Sequence, residues 1–533
     1  MRYQKPLQQG LGFKLIVLLA LSVLGCGTRQ PGYACEASAE ERSASTDPEH
    51  LWRDATKTTI GTTYGWTNKV ELADINGDDL IDVLFANGGN YDTPGEPDFS
   101  KVFLNQGPDE SFEGATREVL PKPMLARAIK VRDVNADGSP DIFVGTTYQT
   151  QSQLYLGDGS GDFTNVTSTH FPHIKASIGD LEFGDVDGDG DLDVVLADWG
   201  AGSPMGNDGG RTMLWLNDGE GHFTDATQAR MPEVLVEFSW ELEFVDIDND
   251  YDLDIMVSCK RCDGSYLFDN NGKGTFTDIT QGRLPQFTNN YDFEAMDVNG
   301  DDYLDVVTIN DGTADQEHIF INDRHGGFNN ETSRLWPDSE NVGYDDNMAE
   351  FLDFDSDGDA DVLIASLIDP DRLHLNDGTG KLKLVNAIEA ILGYTSGTLG
   401  IALADLDRDC KLDVVQAQGE AAGSFDEKVF LGKKIPPDTA EPVITQVENV
   451  SASGADRPIQ IRARVHDNKS PTMPHDWRKV ELCWSTDGRT HEKSMQWYGE
   501  YLWSAAIGEP PDGDFSYRVC ATDAAGNRAC ASP

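Results

Sequence analysis

One nine-residue pattern, written seven times, constrains this chain more than any other feature. It begins at Asp74 (DINGDDLID), Asp133 (DVNADGSPD), Asp185 (DVDGDGDLD), Asp246 (DIDNDYDLD), Asp297 (DVNGDDYLD), Asp353 (DFDSDGDAD) and Asp405 (DLDRDCKLD). The starts are spaced by roughly 55 residues, the period of an array in which each repeat is one supersecondary unit. Neither heptads nor a Gly-X-Y period accompanies the pattern, which excludes a coiled coil and a collagen.

Positions 1, 3, 5 and 9 of every copy carry Asp or Asn, the oxygen donors that a hard cation requires. The candidate metal ligands are Asp74, Asn76, Asp78 and Asp82 in the first copy and Asp133, Asn135, Asp137 and Asp141 in the second. They continue as Asp185, Asp187, Asp189 and Asp193, then Asp246, Asp248, Asp250 and Asp254, then Asp297, Asn299, Asp301 and Asp305. The last two sets are Asp353, Asp355, Asp357 and Asp361, and Asp405, Asp407, Asp409 and Asp413. Position 7 varies from Leu80 to Lys411, as suits a residue that offers only its backbone carbonyl. Four side chains, that carbonyl, a bidentate final Asp and a water supply the six to eight oxygens of calcium, whereas magnesium keeps more of its water. Asp, Asn and Gly also form turns. Turn chemistry alone does not place four oxygen side chains at fixed positions in seven copies. An EF-hand is excluded because position 12 is Phe85, Leu196 or Val257, inside strand-like runs, where that loop needs a bidentate Glu. The copies at Asp405, with Arg408 and Lys411 beside the ligands, and at Asp133, with Pro140, are expected to bind most weakly.

Each Asp loop is followed by a strand-like run, a connection, a second run, a Gly-rich turn and a third, as in "LYLGDGSGDFTNVT" and "LWLNDGEGHFTDAT". With the strand before the loop, every unit supplies four antiparallel strands. These residues resemble the FG-GAP or VCBS repeats of integrin α-chain propellers and bacterial surface proteins over residues 51–432. The resemblance implies an all-β fold, a seven-bladed β-propeller with about seven structural calcium ions in the loops between first and second strands. It departs from the family at position 6, where Gly is usual and this chain has Asp79, Tyr251, Asp302 and Cys410. Ring closure is legible in the chain itself. The seventh unit stops after "KVFLGKK" without a last strand, and "LWRDAT" at Leu51 matches that strand ahead of the first loop. At millimolar calcium, sites with Kd of about 10⁻⁴ to 10⁻³ M each add about 0.4 to 1.4 kcal/mol by mass action, so seven add roughly 3 to 10.

Residues 433–442, "KKIPPDTAEP", read as a Pro-rich linker. Residues 443–533 alternate apolar and polar in runs such as "IQIRARV", "KVELCWS" and "FSYRVCATD", which suits a small β-sandwich. Its ending "ATDAAGN" is similar to bacterial Ig-like or fibronectin type III modules. Trp477, Trp484, Trp497 and Trp503 are assigned to its core and sheet faces rather than to a carbohydrate platform.

Residues 1–25 carry Arg2, Lys5 and Lys14 and then the apolar run "LIVLLALSVL", too short for a comfortable span, and read as an export signal. Its end, Val23-Leu24-Gly25-Cys26, resembles the bacterial lipoprotein signal. That resemblance implies diacylation of Cys26, membrane contact through the lipid only, and, with Gly27 after the Cys, the outer membrane or cell surface. The alternative is an ordinary signal cut near Cys26. Residues 26–50 are a flexible tether. Seven cysteines remain after Cys26, an odd number, so at least one is expected to be free or intermolecular. Cys520 and Cys530 would face each other across a hairpin, with Cys483 the rival partner for Cys520. Cys259 and Cys262 read as a loop staple rather than a redox pair.

The chain has 93 acidic and 41 basic residues, a formal charge of −52, which argues against nucleic acid and anionic membrane surfaces as partners. Because strands alternate in direction, the Asp loops share one face. The opposite face carries the insertions 87–100 and 198–211 and the rings of Trp66, Trp199, Trp240, Tyr291 and Tyr344. These rings are candidates for contacts with an unknown protein or glycan partner, as in adhesion; packing between blades is the alternative. The competing function is an extracellular polysaccharide lyase or hydrolase acting on that face. No GxSxG, HExxH or Walker motif supports it, and His170 and His173 in "HFPH" are assigned to loop packing. A cluster of histidine, arginine or carboxylate side chains in the central channel would favour the enzyme.

Overall fold

The computed structural model describes residues 51–533 apart from 91, 108–110, 311–315, 369, 386–396, 420–425, 451–457, 468, 471, 487–488 and 509–515. The export signal, Cys26 and the tether lie outside the described residues. The rest is all-β, with nine four-stranded antiparallel sheets and only single-turn helices among the described residues.

Seven of the sheets contain one Asp loop each. The first is built in chain order from Thr67–Ala73, Asp82–Asn87, Lys101–Asn105 and Phe112–Gly114, and the others repeat that plan. Second strands such as Asp82–Asn87 are buried at every residue. That explains their continuous apolar runs, since a strand covered on both faces has no solvent side to alternate with. The innermost strands pack side by side in a circle. Thr67–Ala73 meets Ala126–Arg132, followed by Ile178–Gly184, Leu242–Val245, Asn290–Met296, Asp346–Leu352 and Thr398–Ala404, which returns to Thr67–Ala73. This is a β-propeller.

The circle closes as the orphan strand anticipates. Trp52–Asp54 pairs with Lys428–Gly432, Trp52 opposite Gly432 and Asp54 opposite Phe430, so the last sheet takes its outer strand from the start of the domain. Thr56 then accepts the Val429 N–H at 3.0 Å, as Thr116 accepts from Val102 at 3.1 Å and Thr167 from Leu154 at 2.9 Å. The strand Lys428–Gly432 is thereby covered on its outer edge.

The remaining two sheets form a sandwich. One holds Val443–Val447, Ile459–His466, Leu502–Ile507 and Gln496–Gly499; the other holds Arg489–Ser494, Trp477–Thr486, Ser516–Asp523 and Arg528–Ala531. Ile461, Leu482, Val519, Trp477 and Trp503 meet in its core. Trp484 stacks on His491, and Trp497 is half-buried with the Arg132 guanidinium over its ring. Cys520 and Cys530 are opposite one another and bonded, and Cys259 is bonded to Cys262. Among the described residues no cysteine is free, so the leftover thiol expected from the odd count does not fall there.

The sandwich docks on the end of the propeller that carries the Asp loops, a placement nothing in the linker sequence announces. Tyr501 donates its hydroxyl to the Ala295 carbonyl at 2.9 Å, and the Asp185 N–H donates to the Tyr498 carbonyl at 2.8 Å. Ser470 exchanges two hydrogen bonds with the backbone of Phe351. Arg464, almost wholly buried, reaches Asp246 Oδ2 at 3.1 Å, Asn249 Oδ1 at 2.6 Å and the Asp302 carbonyl at 3.1 Å.

Candidate metal loops and the central channel

Each nine-residue pattern forms the turn between the first and second strands of its sheet. Position 1 organises the turn. Asp74 accepts N–H groups from Gly77 at 2.8 Å and Asp79 at 2.8 Å, and Asp353 accepts from Asp357 and Gly358 at 3.0 Å each. Positions 4 and 6 have positive φ in all seven copies, for example Ala136 at 55° and Gly138 at 86°, or Asn249 at 65° and Tyr251 at 68°. The departures from Gly at position 6 therefore keep the loop geometry: Asp79, Tyr251, Asp302 and Cys410 take φ between 63° and 68°. A left-handed conformation costs a non-Gly residue on the order of 1 to 2 kcal/mol, which the loop must offset.

Position 9 has a structural role besides its assignment as a ligand. Both of its oxygens already accept backbone N–H groups. Asp82 takes Ile75 at 3.0 Å and Asn105 at 2.7 Å; Asp193 takes Val186 at 3.3 Å and Asn217 at 2.9 Å; Asp361 takes Phe354 at 3.0 Å and Asn376 at 2.7 Å. The same pair of bonds recurs at Asp141, Asp254, Asp305 and Asp413. This carboxylate ties the loop to the end of the third strand and, except at Asp305 Oδ2, which also accepts from Asn299, has one lone pair per oxygen left for an ion. Burial lifts the Asp82 and Asp141 carboxyls to about 7, and those of Asp193, Asp305 and Asp361 to about 8. Asp254 and Asp413 move the same way for the same cause.

Four copies bring three carboxylates within 4.8 Å of one another: Asp185, Asp187 and Asp193; Asp246, Asp248 and Asp250; Asp353, Asp355 and Asp357; and Asp405, Asp407 and Asp413. Oxygen donors at that spacing fit calcium, whose bonds are about 2.4 Å long. In the copies at Asp74, Asp133 and Asp297 position 3 is Asn, which removes one carboxylate. Two of those amides point their nitrogen inward, Asn135 onto Asp137 at 3.0 Å and Asn299 onto Asp305 at 2.7 Å. A cation there meets the amide oxygen only after the amide turns over. In the last copy Lys411 sits 2.9 Å from Asp409, and Arg408 donates to the Asp79 carbonyl of the first loop at 2.5 Å.

A further set of residues went unread in the sequence. The Asn that ends the third strand donates both to its own sheet and to the Asp loop of the preceding one. Asn270 reaches the Leu253 carbonyl at 3.2 Å and the Val186 carbonyl at 2.9 Å; Asn322 reaches Leu304 at 3.1 Å and Ile247 at 2.8 Å. Asn217 and Asn376 repeat the clamp, and Asn105 applies it between the first sheet and Leu406 of the last. The signal was available in "VFLN", "LWLN", "LFDN", "IFIN" and "LHLN".

The aromatic candidates require correction. Trp199, Trp240 and Tyr291 are buried, and with Phe238, Leu367 and Leu399 they form one cluster at the channel end opposite the Asp loops. Their ring centroids run 5.8 Å from Trp199 to Phe238, 5.1 Å on to Trp240 and 5.2 Å on to Tyr291, each edge to face. Trp66 packs half-buried against the cluster, and Tyr344 is half-buried under the Arg372 guanidinium. Arg127, buried, lies 3.6 Å over the Trp240 ring. These rings seal one end of the channel instead of standing free on loops, because seven inward-facing strand ends leave a gap that only large side chains fill.

Beneath that layer the channel does hold the charged cluster that would favour an enzyme. Lys69 pairs with Glu241, Lys130 with Glu182, and Arg132 with Glu71, with Asp180, Asp292, Glu294 and Glu350 beside them. Burial holds the Glu241, Glu294 and Glu350 carboxyls well above the ordinary range. All three, with Asp180 and Asp292, are buried between the aromatic layer and the docked sandwich, whose buried Glu500 and Tyr501 meet the other end. His170 stacks on His222 with centroids 4.0 Å apart, while His173 is exposed, so the "HFPH" histidines do not converge.

The description "FG-GAP-like repeat" matches residues 74–144, 133–196, 246–308 and 353–415, so four such repeats are present. No curated protein matches the sequence. Among solved structures, BBS1N in complex with ARL6DN is similar at 12% identity over 72% of this chain and 98% of that one, with a TM-score of 0.43. A protein from Lactobacillus plantarum is 13% identical over 62% and 86% of the two chains, with a TM-score of 0.40. The V. cholerae biofilm matrix protein Bap1 is 12% identical over 95% and 76%, with a TM-score of 0.33.

Proposed function

We propose that this chain is a calcium-stabilised surface scaffold, a seven-bladed propeller with an Ig-like module, anchored by a lipid on Cys26 at the bacterial outer membrane or cell surface. It binds a protein or glycan partner on the face opposite the Asp loops. One observation carries the reading. Four of the five large apolar side chains that stand exposed among the described residues, Tyr64, Met205, Leu235 and Ile368, lie on connections of that face. The sandwich covers much of the other face, so this one is free to meet a partner, and exposed apolar groups are the part of a surface that gains most from being covered. The buried channel argues against the enzyme reading, since its carboxylates serve as a polar core.

The test is a protein and glycan binding screen of the full chain, with calcium and with chelator, repeated on a Met205→Asp and Ile368→Asp double variant. The expected result is a partner bound in calcium, lost with the fold in chelator, and lost in the variant at unchanged Tm. A partner held equally by the variant would place binding elsewhere, and lyase or hydrolase activity abolished by a channel substitution would replace the reading.

A further inference from the structure

Outside the seven loops, three further acidic side chains come together from separate segments. Asp438 belongs to the linker, Asp467 directly follows the strand Ile459–His466, and Asp523 ends the strand Ser516–Asp523. One carboxylate oxygen from each lies within 4.8 Å of the others, twice a typical calcium–oxygen bond of about 2.4 Å. None of the three belongs to a nine-residue pattern.

A second observation points to a ligand. Asp523 is wholly buried, and its Oδ1 is committed to the N–H groups of Gly526 at 2.5 Å and Asn527 at 2.8 Å. Its Oδ2 is buried with no hydrogen-bond partner. A buried, unmatched carboxylate oxygen costs more than the roughly 1 to 3 kcal/mol of a neutral group, so it is retained only where something else satisfies it. Besides those N–H groups, the Asn527 side chain and Arg478 act on Asp523, and the half-buried Arg478 also donates to the Ala524 carbonyl at 2.9 Å. Asp438 has its carboxyl raised to about 7 by burial and by the nearby charges of Asp523 and Asp353.

We propose that Asp438, Asp467 and Asp523 form an eighth calcium site that fastens the linker to the sandwich. Three carboxylate oxygens with no thiolate or imidazole select a hard divalent ion. The Asp438 N–H donates to the Cys410 carbonyl of the seventh Asp loop at 2.6 Å, so an ion here also ties the sandwich to the seam where the ring closes. Unlike the loop ions, it sets the orientation of one module on the other.

The test uses crystals of the full chain equilibrated with terbium, read by anomalous scattering, together with the number of calcium ions bound per chain in solution at 1 mM calcium. The expected result is a peak among the three carboxylates that disappears in Asp438→Asn, with one calcium fewer bound per chain. Asp467→Asn is a second variant should the first fail to fold, with the same expectation. Peaks in the Asp loops and none between these residues would overturn the proposal, as would a peak that survives either folded variant or an unchanged calcium count. A peak here with none in the loops would support it and sink the loop assignment instead; no peaks anywhere would overturn both.

Discussion

Replacing Arg464 by Met tests both the docking of the sandwich and the metal loop beneath it. Arg464 joins Asp246 in a pair that is 1% and 2% exposed, and also bonds Asn249 and the Asp302 carbonyl. Removing one partner of such a buried pair costs about 3 to 5 kcal/mol, because the other charge is left uncompensated. That figure applies in chelator. With calcium bound, the ion neutralises Asp246, and what remains is the loss of hydrogen bonds from a charged donor, about 1.5 to 3 kcal/mol. The difference of about 2 kcal/mol corresponds to a roughly 30-fold tighter affinity of that one loop for calcium in Arg464→Met. Denaturant titrations of both proteins, each with and without calcium, measure all four corners of the cycle. A penalty as large in calcium as in chelator would mean that Asp246 does not share its charge between Arg464 and an ion, and the assignment of this loop would fall.

The seams between sheets should respond to Asn270→Ala or Asn322→Ala by a loss of about 1 to 3 kcal/mol for the two hydrogen bonds removed, equal in calcium and in chelator, seen as a lower denaturation midpoint. A calcium-dependent loss would mean that the clamps act through the metal. The position 9 carboxylates predict a pH trend: their folded values of about 7 to 8 lie above the ordinary 3.8, so the folded state binds protons more tightly. In chelator their contribution is complete below about pH 4 and is lost as pH rises through 8, so Tm should be lower at pH 8.5 than at pH 6. Calcium replaces those protons, and its increment in Tm should grow over the same interval. Calorimetry giving a higher Tm in chelator at pH 8.5 would refute this.

Much of the scaffold is readable at short range. Oxygen side chains at positions 1, 3, 5 and 9 fold their own turn through hydrogen bonds spanning two to seven residues, so the pattern predicts the loop whatever surrounds it. The orphan "LWRDAT" could be placed because it repeats the last-strand sequence of the other units, and Thr56 makes the bond its counterparts make. Position 9 has a second role, holding the third strand, that went unread because it is a contact 15 to 24 residues away that spacing does not display. The Asn clamps were missed for a similar reason, since their partners lie 75 to 84 residues earlier in the chain or, for Asn105, 301 residues later.

Local chemistry thus decided the repeat, its strands and its candidate ions, because each depends on neighbours a turn or a hairpin away, while closure, a pairing of Trp52–Asp54 with Lys428–Gly432, was legible only because the orphan strand repeats the sequence of its counterparts. The fate of Trp199, Trp240 and Tyr291, the burial of the channel charges and the seating of the sandwich on the Asp loops depended on which surfaces seven sheets leave facing one another. Burial is a property of that assembled space, and a ring or carboxylate has the same letters in the chain whether water or another sheet will cover it.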